Sequence, residues 1–295
     1  MEGQPGDTRL NITAGVASVM VAFSLVAIKL WALGSTGSLS VAASLADSAL
    51  DLMMSLGGLM AILYAARPAD EDHAFGHTSV EDLAALAQSV FILVSGGVIA
   101  WSAVRRLMSD APTQLAAHGP GMAVMALSIL LTLALVLWQR RVATRTGNRV
   151  VAADSLHYMS DLIPNIGAIA ALWMSRQFGF GAVDNVVALA TAAILVVGSL
   201  RIGKGAWDAL MDRRADPALI EGIGRIAADW PGVRGYHDLK TRTAGSVVFV
   251  NIHIELDGDQ SLRAAHGIGA GLRRKIIDTY PQCDVIVHKD VAGEA

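Results

Sequence analysis

Residues 39–65 have the sequence LSVAASLADSALDLMMSLGGLMAILYA. This stretch exceeds the roughly 20 mostly apolar residues that a membrane-spanning helix needs. Its only charged residues are Asp47 and Asp51, and their i, i+4 spacing puts both carboxylates on one helix face. A charge at the bilayer centre costs about 2.5 to 3.5 kcal/mol on insertion scales. The stretch therefore predicts a membrane helix whose two aspartates have a binding partner.

A second stretch, residues 150–174, has the same pattern with His157 and Asp161 at i, i+4. Three carboxylates and one imidazole provide four ligands, the number that a tetrahedral Zn²⁺ site needs. Imidazole suits zinc, copper, iron and nickel, whereas oxygen ligands alone suit magnesium, calcium or manganese. Two alternatives without a metal stay open, namely hydrogen bonds between helices and a proton relay. Asp154, one turn before His157, either guides ions towards the site or is a solvated residue near the helix start.

The shortage of charged residues falls in residues 10–210. The chain is 53% hydrophobic and only 17% charged, whereas soluble domains are about 25% charged, and ordinary charge density returns after about residue 210. We predict an α-helical membrane protein with six transmembrane helices in residues 1–211. The six apolar segments are Ile12–Leu33, Leu39–Ala65, Leu83–Leu107, Gly121–Gln139, Val150–Met174 and Val183–Ile202.

Basic residues near the helix ends predict the orientation. With both termini inside, ten lysines and arginines lie on the cytoplasmic side and three on the other side. The positive-inside rule therefore favours cytoplasmic N- and C-termini.

Residues 212–295 have the pattern of a small α+β domain. Asp216-Pro217 is a helix start signal, and Thr243-Ala244-Gly245 separates two β-rich segments that form a hairpin. In the second segment, His253 and Glu255 lie on the face opposite Ile252 and Ile254. The predicted elements are a helix to Trp230, strands Tyr236–Arg242 and Ser246–Leu256, a helix Ser261–Thr279 and a strand Cys283–Lys289.

Composition excludes several classes of function. The net charge is −3 and no polybasic block occurs, so we expect no nucleic-acid partner. Cys283 is the only cysteine, which excludes disulfides and cysteine-based zinc sites. The sequence contains no ATP-binding motif, and we expect no enzyme.

Motifs along nearly the whole chain resemble the cation diffusion facilitator family, in particular its bacterial zinc/proton antiporter and ferrous-iron efflux branch. Each motif alone is weak, but their order and separations are specific. The segments that carry the resemblance are Ser44–Asp51, Pro68–His77, Ala153–Asp161, Trp230–Val233, His237–Arg242, Ile252–Glu255 and Val285–Asp290.

The resemblance implies a homodimer in the bacterial inner membrane that exchanges Zn²⁺ for protons by alternating access, with membrane lipid around it. It also implies a cytoplasmic, metallochaperone-like C-terminal domain, where Zn²⁺ is a structural or regulatory ion. The implied metal ligands form three groups: a transport site at Asp47, Asp51, His157 and Asp161; a loop site at Asp70, His73 and His77; and a binuclear site at His237, His253, His288 and Asp290, with His266 nearby.

Alternatives to this interpretation stay open. Asp70, His73 and His77 also fit a solvated polar loop, and the domain histidines also fit an ordinary surface. The cargo is Zn²⁺ or else Fe²⁺, Cd²⁺ or Mn²⁺, and a metal-gated channel or a membrane metal sensor are other functions for the same ligands. The chain also departs from the family pattern, in which a lysine after Phe-Gly-His pairs with an aspartate near the end of the sixth helix. Ser79 replaces that lysine, although Asp212 is retained.

Overall fold

The structure is a computed structural model that describes residues 5–36, 39–108, 119–178 and 183–294. Six long helices precede a small α+β unit. The helices are α1 (Pro5–Thr36), α2 (Leu39–Ala65), α3 (Ser79–Leu107), α4 (Gly119–Thr146), α5 (Arg149–Phe178) and α6 (Val183–Leu210). The α+β unit contains α7 (Pro217–Ala228), β1 (Gly235–Ala244), β2 (Val247–Leu256), α8 (Leu262–Thr279) and β3 (Cys283–Val291).

The six predicted apolar segments coincide with α1 to α6, which confirms the helical membrane fold. Most of the helices extend beyond the apolar segments; α4, for example, continues from Gln139 to Thr146. Within the described residues, five helices are long and apolar enough to span a membrane. Helix α5 is not among these five helices. Its first half contains the charged residues Arg149, Asp154 and Asp161.

Helix α5 lies at the centre of the bundle, because it packs against α1, α2, α3, α4 and α6. Its first half is buried: Asp154 is 5% exposed and His157 is 8% exposed. By contrast, large apolar side chains such as Met20, Met53 and Val94 are exposed on the outer helices, as expected for a lipid-facing surface. The packing therefore places the polar residues of α5 inside the bundle.

The α+β unit has a three-stranded sheet in the order β1-β2-β3, with β1 and β2 antiparallel and β2 and β3 parallel. Val250, Ile252 and Ile254 of β2 are fully buried and pack in one core with Ile223 of α7 and Leu272 of α8. The two helices thus cover one face of the sheet. The predicted hairpin is confirmed, and the opposite face carries the predicted polar residues.

The sequence signals for the two short helices are also confirmed. The Asp216 side chain accepts a hydrogen bond from the Ala218 N–H, with Pro217 in the first turn. Helix α7 ends at Ala228, two residues before the predicted end at Trp230, since the chain enters the Pro231-Gly232 turn. Ser261 is the N-cap of α8 and accepts from the Ala264 N–H.

Candidate metal centres

Asp51, His157 and Asp161 form a cluster inside the helix bundle. The His157 Nε2 lies 3.0 Å from a carboxylate oxygen of Asp51. Each of the three residues offers one ligand atom within 4.8 Å of the others. The Phe91 ring packs edge-on against the His157 ring at 5.8 Å and limits access from α3. Two carboxylates and an imidazole in this arrangement are a suitable donor set for a divalent cation.

Asp47 is not part of this cluster. It lies one turn before Asp51 on α2 and its side chain is exposed. The structure therefore brings together three of the four residues that the sequence assigned to the transport site.

Lys29 of α1 is a residue near this site that the sequence analysis missed. Its Nζ donates a hydrogen bond to the Ser48 hydroxyl at 2.6 Å and to the Ser44 carbonyl at 3.2 Å. Its charge also acts on the Asp161 carboxylate. The available signal was a lysine inside an apolar run, which in a membrane helix indicates function.

The second cluster lies in the loop between α2 and α3. Asp70 accepts a hydrogen bond from the His73 backbone N–H at 2.7 Å, and this bond holds the pKa of Asp70 below its usual value. One carboxylate oxygen lies 3.3 Å from His73 Nδ1 and the other 3.2 Å from His77 Nε2. His77 is buried, and its Nδ1 has no hydrogen-bond partner. The three predicted residues thus converge, and they fit a metal ion.

The third cluster is a row of three histidines across the sheet. His237 pairs with His253 in the antiparallel register, and His253 pairs with His288 in the parallel register. The Asp290 carboxylate contacts the whole row, with one oxygen 2.9 Å from His253 and 3.4 Å from His237 and the other oxygen 3.1 Å from His288. The hydrogen bond from His253 lowers the pKa of Asp290, with the histidine charges adding to this effect.

Glu255 belongs to the same polar face and was not predicted as a site residue. Its carboxylate lies 3.0 Å from His237 Nδ1, and Glu255 pairs with Asp290 in the next row of the sheet. The alternation of β2 already placed Glu255 beside His253, so the signal was present in the sequence.

His266 does not join the row. It is exposed on α8, and α8 packs against the opposite face of the sheet. The structure therefore separates His266 from the four residues with which the sequence analysis had associated it.

The hairpin tip of the α+β unit contacts the helix bundle. The Gly245 N–H at the hairpin tip donates to the Asp82 carboxylate at 2.6 Å, and Asp82 also forms an ion pair with Arg149. Arg242 pairs with Asp212 at 3.3 Å and stacks on Phe249 at 4.3 Å. Asp212 thus pairs with Arg242 of β1. The lysine that is its usual partner in the family is replaced here by Ser79.

Phe75, which follows His73 in the loop, packs edge-on against Phe249 at 5.5 Å. The loop that holds the second cluster is therefore in direct contact with the sheet that holds the third.

Comparison with known proteins agrees with this architecture. Residues 15–211 match the family profile described as the cation efflux transmembrane domain, and residues 215–291 match the cation efflux protein cytoplasmic domain. The chain belongs to the cation diffusion facilitator family. Its members are transporters, so this chain is a multi-pass membrane protein for divalent cation efflux and no enzyme.

Named relatives support the cation diffusion facilitator assignment over almost the full length. The chain is 38% identical over 282 residues to the cation-efflux pump FieF of Klebsiella pneumoniae, which covers 96% of this chain and 93% of that protein. It is 37% identical to FieF of Salmonella typhi with the same coverage. The chain is 24% identical to a solved structure, the metal-bound C-terminal domain of the CzcD transporter from Thermotoga maritima. The match covers 26% of this chain and 92% of the solved chain, with a TM-score of 0.26.

Proposed function

We propose that this protein exports Zn²⁺ from the bacterial cytoplasm across the inner membrane in exchange for protons, as a homodimer with cytoplasmic termini. The observation that carries this proposal is the cluster of Asp51, His157 and Asp161 at the centre of the helix bundle. An imidazole among carboxylates favours zinc over the harder cations. The excess of basic residues on the side of the termini supports the orientation.

The transport site consists of Asp51, His157 and Asp161, with Asp47 as the fourth ligand. Asp47 lies on the same face of α2 as Asp51, and a bound ion would attract its carboxylate into the coordination shell. Metal ligands must be deprotonated to bind, so zinc entering from the cytoplasm displaces protons. Protons from the outside then release the metal after the bundle opens outward.

The C-terminal part, residues 212–295, is a cytoplasmic domain with resident zinc. His237, His253 and His288 with Asp290 would hold the ions; one oxygen of Asp290 contacts His237 and His253 and the other contacts His288. Asp70, His73 and His77 would hold another ion in the loop. These ions would supply positive charge that stabilises the strands and the loop, and the site residues are hydrogen-bonded to one another.

Zinc flux into proteoliposomes tests the proposal. We expect an imposed pH gradient to accelerate zinc movement and zinc movement to carry protons the other way. Flux that follows the zinc gradient and ignores the pH gradient would indicate a channel, and binding without flux would indicate a sensor. The same assay with Fe²⁺, Cd²⁺ and Mn²⁺ ranks the cargo, and preference for Fe²⁺ over Zn²⁺ would contradict the zinc assignment.

A further inference from the structure

Asp154 occupies a buried polar pocket between α1, α4 and α5 that is separate from the metal ligands. The Gln139 side chain of α4 donates to one Asp154 oxygen at 2.5 Å. The Ser18 hydroxyl of α1 lies beside the same carboxylate. Asp154 is 5% exposed, Gln139 is 1% exposed and Ser18 is fully buried. The pocket is therefore closed to bulk solvent.

Two oxygen atoms in this pocket have no hydrogen-bond donor. They are the second carboxylate oxygen of Asp154 and the side-chain oxygen of Gln139. Both oxygens are hydrogen-bond acceptors, so they cannot form a hydrogen bond with each other unless the carboxylate is protonated. A buried acceptor without a donor costs about 1–3 kcal/mol. A proton on Asp154 supplies a donor and also removes the charge.

Within the described residues, no lysine or arginine forms an ion pair with Asp154, and the one imidazole that acts on it belongs to the proposed metal ligand His157. The ionisable groups that act on it are His157 and Tyr158 on its own helix and Asp51 on α2. Helices α1 and α4 contribute the neutral Ser18 and Gln139.

The two remaining neighbours of α5, which are α3 and α6, contribute apolar side chains to this part of the helix. Ile92 and Leu195 pack there against Ala153 and Leu156. A buried carboxylate without a counter-ion is far more costly than a neutral carboxylic acid.

The pocket is connected to the metal site by hydroxyl groups. Ser18 donates to Ser55 of α2 at 2.8 Å, and the Ser55 hydroxyl lies 2.8 Å from the Tyr158 hydroxyl. Tyr158 follows His157, and Ser55 lies one turn after Asp51. The Asp154 carboxylate also interacts electrostatically with His157 and Asp51, and such interactions are strong in the protein interior.

We propose that Asp154 is a proton-binding site, distinct from the metal ligands, that loses its proton when a divalent cation enters the site of Asp51, His157 and Asp161. The O–H bond of the carboxylic acid breaks, the proton is released to bulk water while the bundle is open to the cytoplasm, and the resulting carboxylate offsets part of the metal charge. By linkage, protonation of Asp154 weakens metal binding to the same extent. This inference rests on the proposed function, since it assumes a metal at that cluster.

Calorimetry of zinc binding in two buffers with different ionisation enthalpies counts the released protons. The protein is the full chain with His77→Ala and His253→Ala, which weaken the competing zinc sites and are present in every variant that is compared. We expect Asp154→Asn to release about one proton fewer per zinc than the same background with Asp154 intact. The control is Asp82→Asn, which removes another buried carboxylate; Asp82 is paired with Arg149, so the proton count should not change.

Equal proton counts with and without Asp154, over the whole pH range in which the protein is folded, would overturn the proposal. The same calorimetry on Gln139→Leu is an independent test, because this variant retains Asp154. It removes a donor to the carboxylate, so the pH at which the extra proton is released should rise, and an unchanged pH would also overturn the proposal. Failure of the background protein to bind zinc at all would instead refute the proposed function.

Discussion

The ammonium group of Lys29 lies close to carboxylates that we assign to a divalent cation. It donates to Ser48, between Asp47 and Asp51, and its charge acts on Asp161. A fixed positive charge near a metal site lowers metal affinity, because it repels the ion and balances the acids in its absence. We therefore expect Lys29 to help the site to release its cargo.

Replacing Lys29 tests this role. We expect Lys29→Met to tighten zinc binding at the transport site by roughly tenfold, on the order of one short-range charge interaction, and to slow zinc release. Lys29→Arg retains the charge and is the matched control. Equilibrium dialysis measures the affinity, and weaker binding by Lys29→Met than by Lys29→Arg would contradict the role.

Individual site residues were predictable to different degrees. Asp51, His157 and Asp161 were predictable because acids and imidazole in an apolar helix need a partner. Asp47 has the same signal, but its exclusion from the cluster depends on how α2 packs, which spacing on one helix does not specify. Gln139 gives no signal in sequence, because its role comes only from contact with Asp154 across two helices.

At the level of elements, the β-sheet positions the residues of the third cluster. Alternation along β2 predicted which side chains share a face, but not which residues of β1 and β3 lie opposite them. That register depends on an irregularity in β1 between His237 and Lys240, where Asp238 has a φ of 49°. Strand pairing brings His237, His253 and His288 into one row, which hydrophobic pattern alone could not predict.

The positions of His253 on the sheet and His266 on α8 predict that replacing them has different effects on zinc content. We expect His253→Ala to lower the zinc bound per chain, because it removes the central histidine of the row, whereas His266→Ala leaves it unchanged. Metal content of the purified full chain, measured by mass spectrometry, distinguishes them. Equal losses in both variants would show that α8 contributes to the site.

At the level of the whole molecule, the hairpin tip couples the two parts of the chain. Gly245 has a φ of 55°, and a Cβ atom there would lie 2.5 Å from the Thr78 carbonyl oxygen. We expect Gly245→Ala to weaken this contact and to increase hydrogen–deuterium exchange at the start of α3.

The matched control for this substitution is Gly293→Ala. Gly293 has a φ of 87° but open space around it, so both variants bear the left-handed backbone cost of about 1–2 kcal/mol and only one bears the clash. Equal exchange at residues 79–82 in the two variants would contradict coupling through the tip.

Cys283 reports on the integrity of the C-terminal core. It is buried, and this burial raises the pKa of its thiol to about 11. The reactive form is the thiolate, so we expect a maleimide reagent at neutral pH to label the folded protein far more slowly than the unfolded protein. Labelling should accelerate as the pH rises. Equally fast labelling of both states would contradict the packing of β3 against α8.

The central claim is that the cluster on α2 and α5 carries zinc in exchange for protons. Its most direct test is zinc uptake into proteoliposomes under an imposed pH gradient, with wild type, Asp51→Ala, and Asp259→Ala as a control at an exposed acid outside the clusters. The account predicts gradient-dependent uptake by wild type and Asp259→Ala, and no uptake by folded Asp51→Ala. Retained zinc/proton exchange in Asp51→Ala would contradict it.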